Sequence, residues 1–128
     1  MTRPVSEFKS KNGIKRIFAA FSYSVDGFKA AWRYEAAFRQ ELVIVVIGTI
    51  VALSLRVSAF EKLMLVALMI FVLIVELINS AIETVVDRIS LDPNPLSKNA
   101  KDMGSTAVAL SILIAVAAWA TVLFNRFY

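Results

Sequence analysis

Neither cysteine nor histidine occurs among the 128 residues of this chain. The absence of cysteine excludes disulfides, a thiol nucleophile and any cysteine-ligated metal. The absence of histidine narrows the general bases available at neutral pH to Asp, Glu, a perturbed Lys or Tyr, or a group of the substrate. Glycine is scarce as well. The four glycines stand at 13, 27, 48 and 104, and neither GxxxxGK[ST] nor GxGxxG can be built from them, so there is no glycine-rich phosphate loop. Only three prolines are present, no segment is of low complexity, and no internal repeat or pair of inverted halves is visible.

What is abundant is apolar. Hydrophobic residues make up 59% of the chain and the mean hydropathy is +0.71, values of an integral membrane protein, and the length fits a single membrane domain over 1–128. The net charge of +4 does not describe a nucleic-acid surface, because eight of the fourteen Lys and Arg precede residue 42 and most of the others flank apolar runs. The opening MTRPVSEFKSKNG has no apolar core ahead of a cleavage site, so it is not a secretory signal and reads as a frayed arm.

From Ile14 onward the large apolar residues fall at 14, 17, 18, 21, 25, 28 and 32. At 100° per residue they all lie within about 50° of one direction, which predicts an amphipathic helix over about 13–34. Lys15, Lys29 and Arg33 flank the stripe, and Trp32 and Tyr34 supply rings suited to the headgroup level, so this helix belongs on a membrane surface. LVIVVIGTIVALSL, with Arg56 snorkelling beyond it, predicts a first transmembrane helix over about 38–57. A turn near Ser58 to Lys62 leads to a second, over 62–89, that is longer than a bilayer is thick; the polar stretch SLDPNPLSKNAKDMGS and its two prolines close it. A third, over about 101–124, carries Ser105, Ala107, Ser111, Ala115 and Ala118 as small residues for close packing. The expected fold class is an all-α membrane protein: a surface helix and three transmembrane helices per subunit.

Lys and Arg counts orient it. Eleven lie on the side of the N-terminus and the second loop, against three (Arg56, Lys62 and Arg126) on the other, which places the N-terminus and second loop in the cytoplasm.

One stretch of the second helix is energetically costly. VELINSAIETVVDRI, residues 75–89, sets Glu76, Asn79, Ser80, Glu83 and Asp87 along the continuation of an apolar span, and on a helical wheel all five fall within an arc of about 100°. A carboxylate near mid-membrane costs roughly 3 kcal/mol, more than the 0.6 to 2 kcal/mol that one interhelical hydrogen bond returns, so simple polar glue explains Asn79 and Ser80 better than repeated acids. A wet face of this size on three short spans also calls for a homo-oligomer. Two chemistries suit it. A proton-coupled exporter needs its acid near mid-membrane in a substrate-sized cavity, whereas Glu83 and Asp87 lie toward the cytoplasmic end among basic residues. Carboxylates with Lys101 and Arg16 at that surface suit Mg²⁺ and nucleotide phosphates, since Mg²⁺ takes one or two carboxylates plus phosphate oxygens.

EAAFRQE at 35–41, VELINSAIETVVDRI at 75–89 and AKDMGSTAV at 100–108 resemble the small diacylglycerol kinases of the bacterial inner membrane, with similarity running from Arg16 to Trp119. The resemblance implies a homotrimer that transfers the γ-phosphate of MgATP to the 3-hydroxyl of diacylglycerol, giving phosphatidic acid. It implies Glu76 as proton acceptor, Glu35 and Glu83 as magnesium ligands, and Arg16, Tyr23, Glu35, Glu83, Asp92, Asn94, Lys101 and Asp102 as nucleotide contacts. It implies lipid contacts at Arg16, Ala20, Tyr23, Ser24, Lys29, Trp32, Gln40, Glu76, Asn79, Ser105 and Trp119. One departure stands out: where many relatives carry Glu-x-His after the second helix, this chain has Asp92, Pro93 and Asn94, and Asn94 cannot be protonated as a histidine can. A relative acting on a polyprenol, undecaprenol kinase, is the alternative within the fold; EAAFRQE looks more like the diacylglycerol branch.

Overall fold

The computed structural model describes residues 12–128, and the described chain is helical apart from short connections. It forms α1 (Gly13–Tyr34), α2 (Ala36–Ser54), α3 (Ala59–Ile89) and α4 (Pro95–Phe127). The last three are long and apolar enough to cross a membrane, so the expected all-α class with three membrane-length helices is observed. The arm expected to fray lies, up to residue 11, outside the described residues.

The chain divides into two compact units, one ending at Glu35 and one spanning Ala36–Tyr128. In the first, all seven members of the apolar stripe of α1, from Ile14 to Trp32, are exposed. The helix stops where Glu35 takes extended backbone (φ −114°, ψ 101°), although its N–H still donates to the Ala31 carbonyl at 2.9 Å.

In the second unit α3 is the common partner, packing against both α2 and α4. Short connections make sequential neighbours antiparallel. At the α2–α3 turn, Ser58 and Glu61 form a reciprocal capping box: the Glu61 N–H donates to Ser58 Oγ at 3.1 Å and the Ser58 N–H donates to Glu61 Oε2 at 2.8 Å. Lys62 Nζ donates to the Leu53 carbonyl at 3.0 Å, satisfying an acceptor that the end of α2 leaves open.

The α3–α4 connection differs from the expected one. Pro95 does not help end α3; it occupies the first turn of α4, where its missing N–H and fixed φ cost nothing, and Asn94 caps the helix by accepting from the N–H groups of Leu96 (2.8 Å) and Ser97 (3.4 Å). The third apolar helix therefore starts at Pro95, well before residue 101. At 1.5 Å per residue α3 and α4 run to about 46 and 50 Å, against about 30 Å of hydrocarbon, so their polar ends project beyond it.

The buried residues of α3 are Leu65, Met69, Val72, Glu76, Asn79 and Ser80. Spaced by three and four, they form one seam, apolar in its first half and polar in its second. The opposing seam of α4 is made of small residues, Gly104, Ser111 and Ala115. Two glycines permit close approach. A β-carbon on Gly48 would meet the Met69 thioether, with Cε at 2.8 Å and the Trp119 ring at 3.7 Å; one on Gly104 would collide with the Asn79 carboxamide, whose Cγ would stand 3.2 Å away.

Candidate functional site

The polar half of the α3 seam supplies the core of the site. Glu76 is only 6% exposed, and Asn79 and Ser80, one turn further along, are also buried. Asn79 Nδ2 donates to Glu83 Oε1 at 3.4 Å, while Asn79 Oδ1, pressed against Gly104, has no hydrogen-bond partner among the described residues. The Ser80 hydroxyl is likewise buried without a partner. Buried polar atoms of this kind are rare, and each calls for a reason.

From α2, Glu41 enters the same region. Its Oε2 is buried without a hydrogen-bond partner among the described residues. Sequence reasoning gave Glu41 no role, although the signal was available: it is an acid placed directly ahead of LVIVVIG, subject to the same insertion cost as Glu76.

Along α3 the seam rises to the surface: Glu83 is half-buried and Asp87 exposed. Asp87 Oδ1 accepts from Lys101 Nζ at 2.6 Å and ties the end of α3 to the start of α4. Lys98 pairs in turn with Asp102 one turn away on α4. Beside these pairs opens a cleft of about 580 Å³ lined by Asp87, Asp92, Asn94, Lys98, Lys101 and Asp102 among others. Four predicted nucleotide residues, Asp92, Asn94, Lys101 and Asp102, thus share one cleft. The cap on α4 consumes the acceptor of Asn94 and leaves its Nδ2 as the group available to a ligand.

The other predicted residues fall in both units. In the second unit, Gln40 and Ser105 are exposed, while Trp119 is half-buried against Gly48 with its indole N–H buried and without a hydrogen-bond partner among the described residues. The first unit carries Arg16, Tyr23, Ser24, Lys29 and Trp32, all exposed, with Ala20 and Glu35 half-buried. The Ser24 hydroxyl donates to the Ala20 carbonyl at 2.9 Å.

Among the described residues no group of three or more acids is gathered in the manner of an all-protein metal cage. The donor set present fits a hard cation that keeps substrate oxygens in its shell: Glu83 is half-buried, is oriented by Asn79, and lies one turn from the cleft that holds Lys101.

The profile of the family described as Prokaryotic diacylglycerol kinase matches residues 22–123. The chain is 51% identical over 120 residues to the diacylglycerol kinase of Pseudomonas aeruginosa, covering 94% of this chain and 98% of that protein. It is 47% identical over 115 residues to the diacylglycerol kinase of Escherichia coli K12, covering 90% and 94%. It is 35% identical over 127 residues to that of Helicobacter pylori J99, covering 97% and 99%.

Proposed function

This chain belongs to the prokaryotic diacylglycerol kinase family, membrane enzymes that phosphorylate diacylglycerol, and we propose that it transfers the γ-phosphate of ATP to the 3-hydroxyl of that lipid at the cytoplasmic face of a bacterial inner membrane. The observation that supports this reading best is the run from buried Glu76 and Asn79 to half-buried Glu83, which leads from the apolar interior toward the cleft of Lys101 and Asp102.

In this reading Glu76 accepts the hydroxyl proton as the lipid oxygen attacks phosphorus and the bond to the β-phosphate oxygen breaks, leaving ADP. The base is deep enough to meet a lipid hydroxyl just below the headgroups. Glu41 of α2 brings a second carboxylate to the same region. Asn79 orients Glu83 through its Nδ2. Lys101, Asp102, Asp92 and Asn94, with Arg16 and Tyr23, bind and orient the nucleotide. Glu35 and Glu83 would hold Mg²⁺, which when bound would neutralise phosphate charge. Ala20, Ser24, Lys29, Trp32, Gln40, Ser105 and Trp119 contact the lipid, α1 lies on the membrane surface, and the working unit is a homotrimer. Phosphoryl transfer of this kind needs positioning and charge neutralisation and no covalent intermediate, in keeping with a chain that has neither cysteine nor histidine.

The test is purified protein in lipid micelles with labelled ATP, Mg²⁺ and either diacylglycerol or undecaprenol. Label in the diacylglycerol product is expected. Label only in the polyprenol would move the chain to the other branch, and label in neither would end the kinase reading.

A further inference from the structure

At the opposite end of the spanning helices from Glu83 and Lys101, a second cavity of about 320 Å³ opens where the chain leaves α2, caps α3 and finishes α4. Arg56, Ser58, Glu61, Asn125 and Arg126 supply its polar lining, and two valines supply an apolar wall. No part of the proposed phosphoryl transfer uses these residues.

The cavity has an excess of donors. Neither Arg56 nor Arg126 has a carboxylate ion-pair partner among the described residues; Arg126 lies over the Phe127 ring, 5.5 Å from its centroid. The carboxamide of Asn125 has no hydrogen-bond partner among the described residues, and the Ser58 hydroxyl, which accepts from the Glu61 N–H, keeps its own proton to give. Glu61 is the one acid in the lining, and one of its oxygens already accepts from the Ser58 N–H. Lys62 is committed to the Leu53 carbonyl and so does not compete. What remains is two guanidiniums against one partly engaged carboxylate, with hydroxyl and amide donors beside them.

Planar guanidinium groups match the oxygens of a phosphate, bonding in pairs. The position names the source of that phosphate. The cavity sits at the ends of membrane-length helices, beside the stacked rings of Phe124 and Tyr128 (centroids 5.4 Å apart), where aromatic side chains mark the headgroup level. We infer that this cavity binds the phosphate of an anionic membrane lipid headgroup, at a site separate from the one where phosphate is transferred.

The experiment is native mass spectrometry of the full chain in detergent with equimolar phosphatidylglycerol and phosphatidylcholine. The unaltered protein is expected to retain phosphatidylglycerol in several-fold excess, and Arg56→Gln/Arg126→Gln to lose one retained phosphatidylglycerol per subunit. Arg56→Lys/Arg126→Lys, which keeps the charge without the paired donors, is expected to fall between them. Helix content by circular dichroism and kinase activity are expected to be unchanged in both variants, which keeps loss of lipid distinct from loss of fold. Equal retention of the two lipids, or an unchanged preference in the glutamine variant, would overturn the inference. Displacement of the lipid by excess inorganic phosphate would overturn the lipid source and leave a site for free phosphate.

Discussion

The carboxamide of Asn79 lies so close to the backbone of Gly104 that a β-carbon on the glycine would collide with it. The contact joins α3 to α4 beside Glu76 and Glu83, and it holds the side chain that donates to Glu83.

Gly104→Ala is therefore expected to destabilise the protein despite the alanine's better helix propensity. The propensity gain is about 1 kcal/mol. Overpacking against a buried, hydrogen-bonded side chain costs about 1 to 3 kcal/mol. Thermal unfolding in detergent should show a lowered midpoint, together with reduced phosphoryl transfer. Adding Asn79→Ala should restore the midpoint without restoring activity, and additive losses in the double variant would refute the contact.

Glu76→Gln should abolish transfer while leaving assembly and nucleotide binding intact. Removing a general base typically lowers rates by about 10²- to 10⁴-fold. Single-turnover kinetics read the chemical step, and size-exclusion chromatography reads assembly. If assembly fails with transfer, Glu76 is a structural polar contact and not the base.

Glu83→Gln should raise the Mg²⁺ concentration needed for half-maximal activity. A magnesium titration at fixed ATP checks this, and an unchanged requirement would remove Glu83 from the metal site. Because Asn79 donates to Glu83, Asn79→Ala should shift the requirement in the same direction by a smaller factor.

Asn94→Ala should cost about 0.5 to 2 kcal/mol of stability through the lost cap. Asn94→Ser, which can still accept from the first turn of α4, should recover most of it. KM for ATP measured on both variants then separates the two roles: a value raised equally in both assigns the Asn94 amide a nucleotide contact, and a value unchanged in both leaves it a cap alone.

Lys101→Met should raise KM for ATP with little change in thermal midpoint. The Asp87–Lys101 pair, though short, is about half exposed, and pairs of that kind contribute about 0 to 1 kcal/mol. A large fall in the midpoint would instead make the pair a structural clamp.

The helices and the polar face of α3 were legible in the sequence because each rests on a local periodicity: the stripe of α1, the apolar runs, and acids and amides three and four residues apart. What was not legible depends on encounters between helices. Nothing in AKDMGS says that Gly104 is small for the sake of Asn79, or that Lys101 meets Asp87 across a turn. Glu41 escapes a wheel drawn on a single helix, because its place beside the α3 seam exists only once α2 packs on α3. Pro95 was read as a stop because proline punctuates at both ends of helices, and only the Asn94 side chain decides which end it marks.

The seam Leu65–Met69–Val72–Glu76–Asn79 makes packing and chemistry share one phase. A single residue inserted between Val72 and Glu76 turns everything after it by about 100°, sending the acids into lipid and apolar side chains into the cleft. In most enzymes a small insertion near the reacting groups spares the scaffold, and one in the scaffold is absorbed by a loop. Here the same helical clock times both, so this stretch of α3 should tolerate substitutions far better than changes in length.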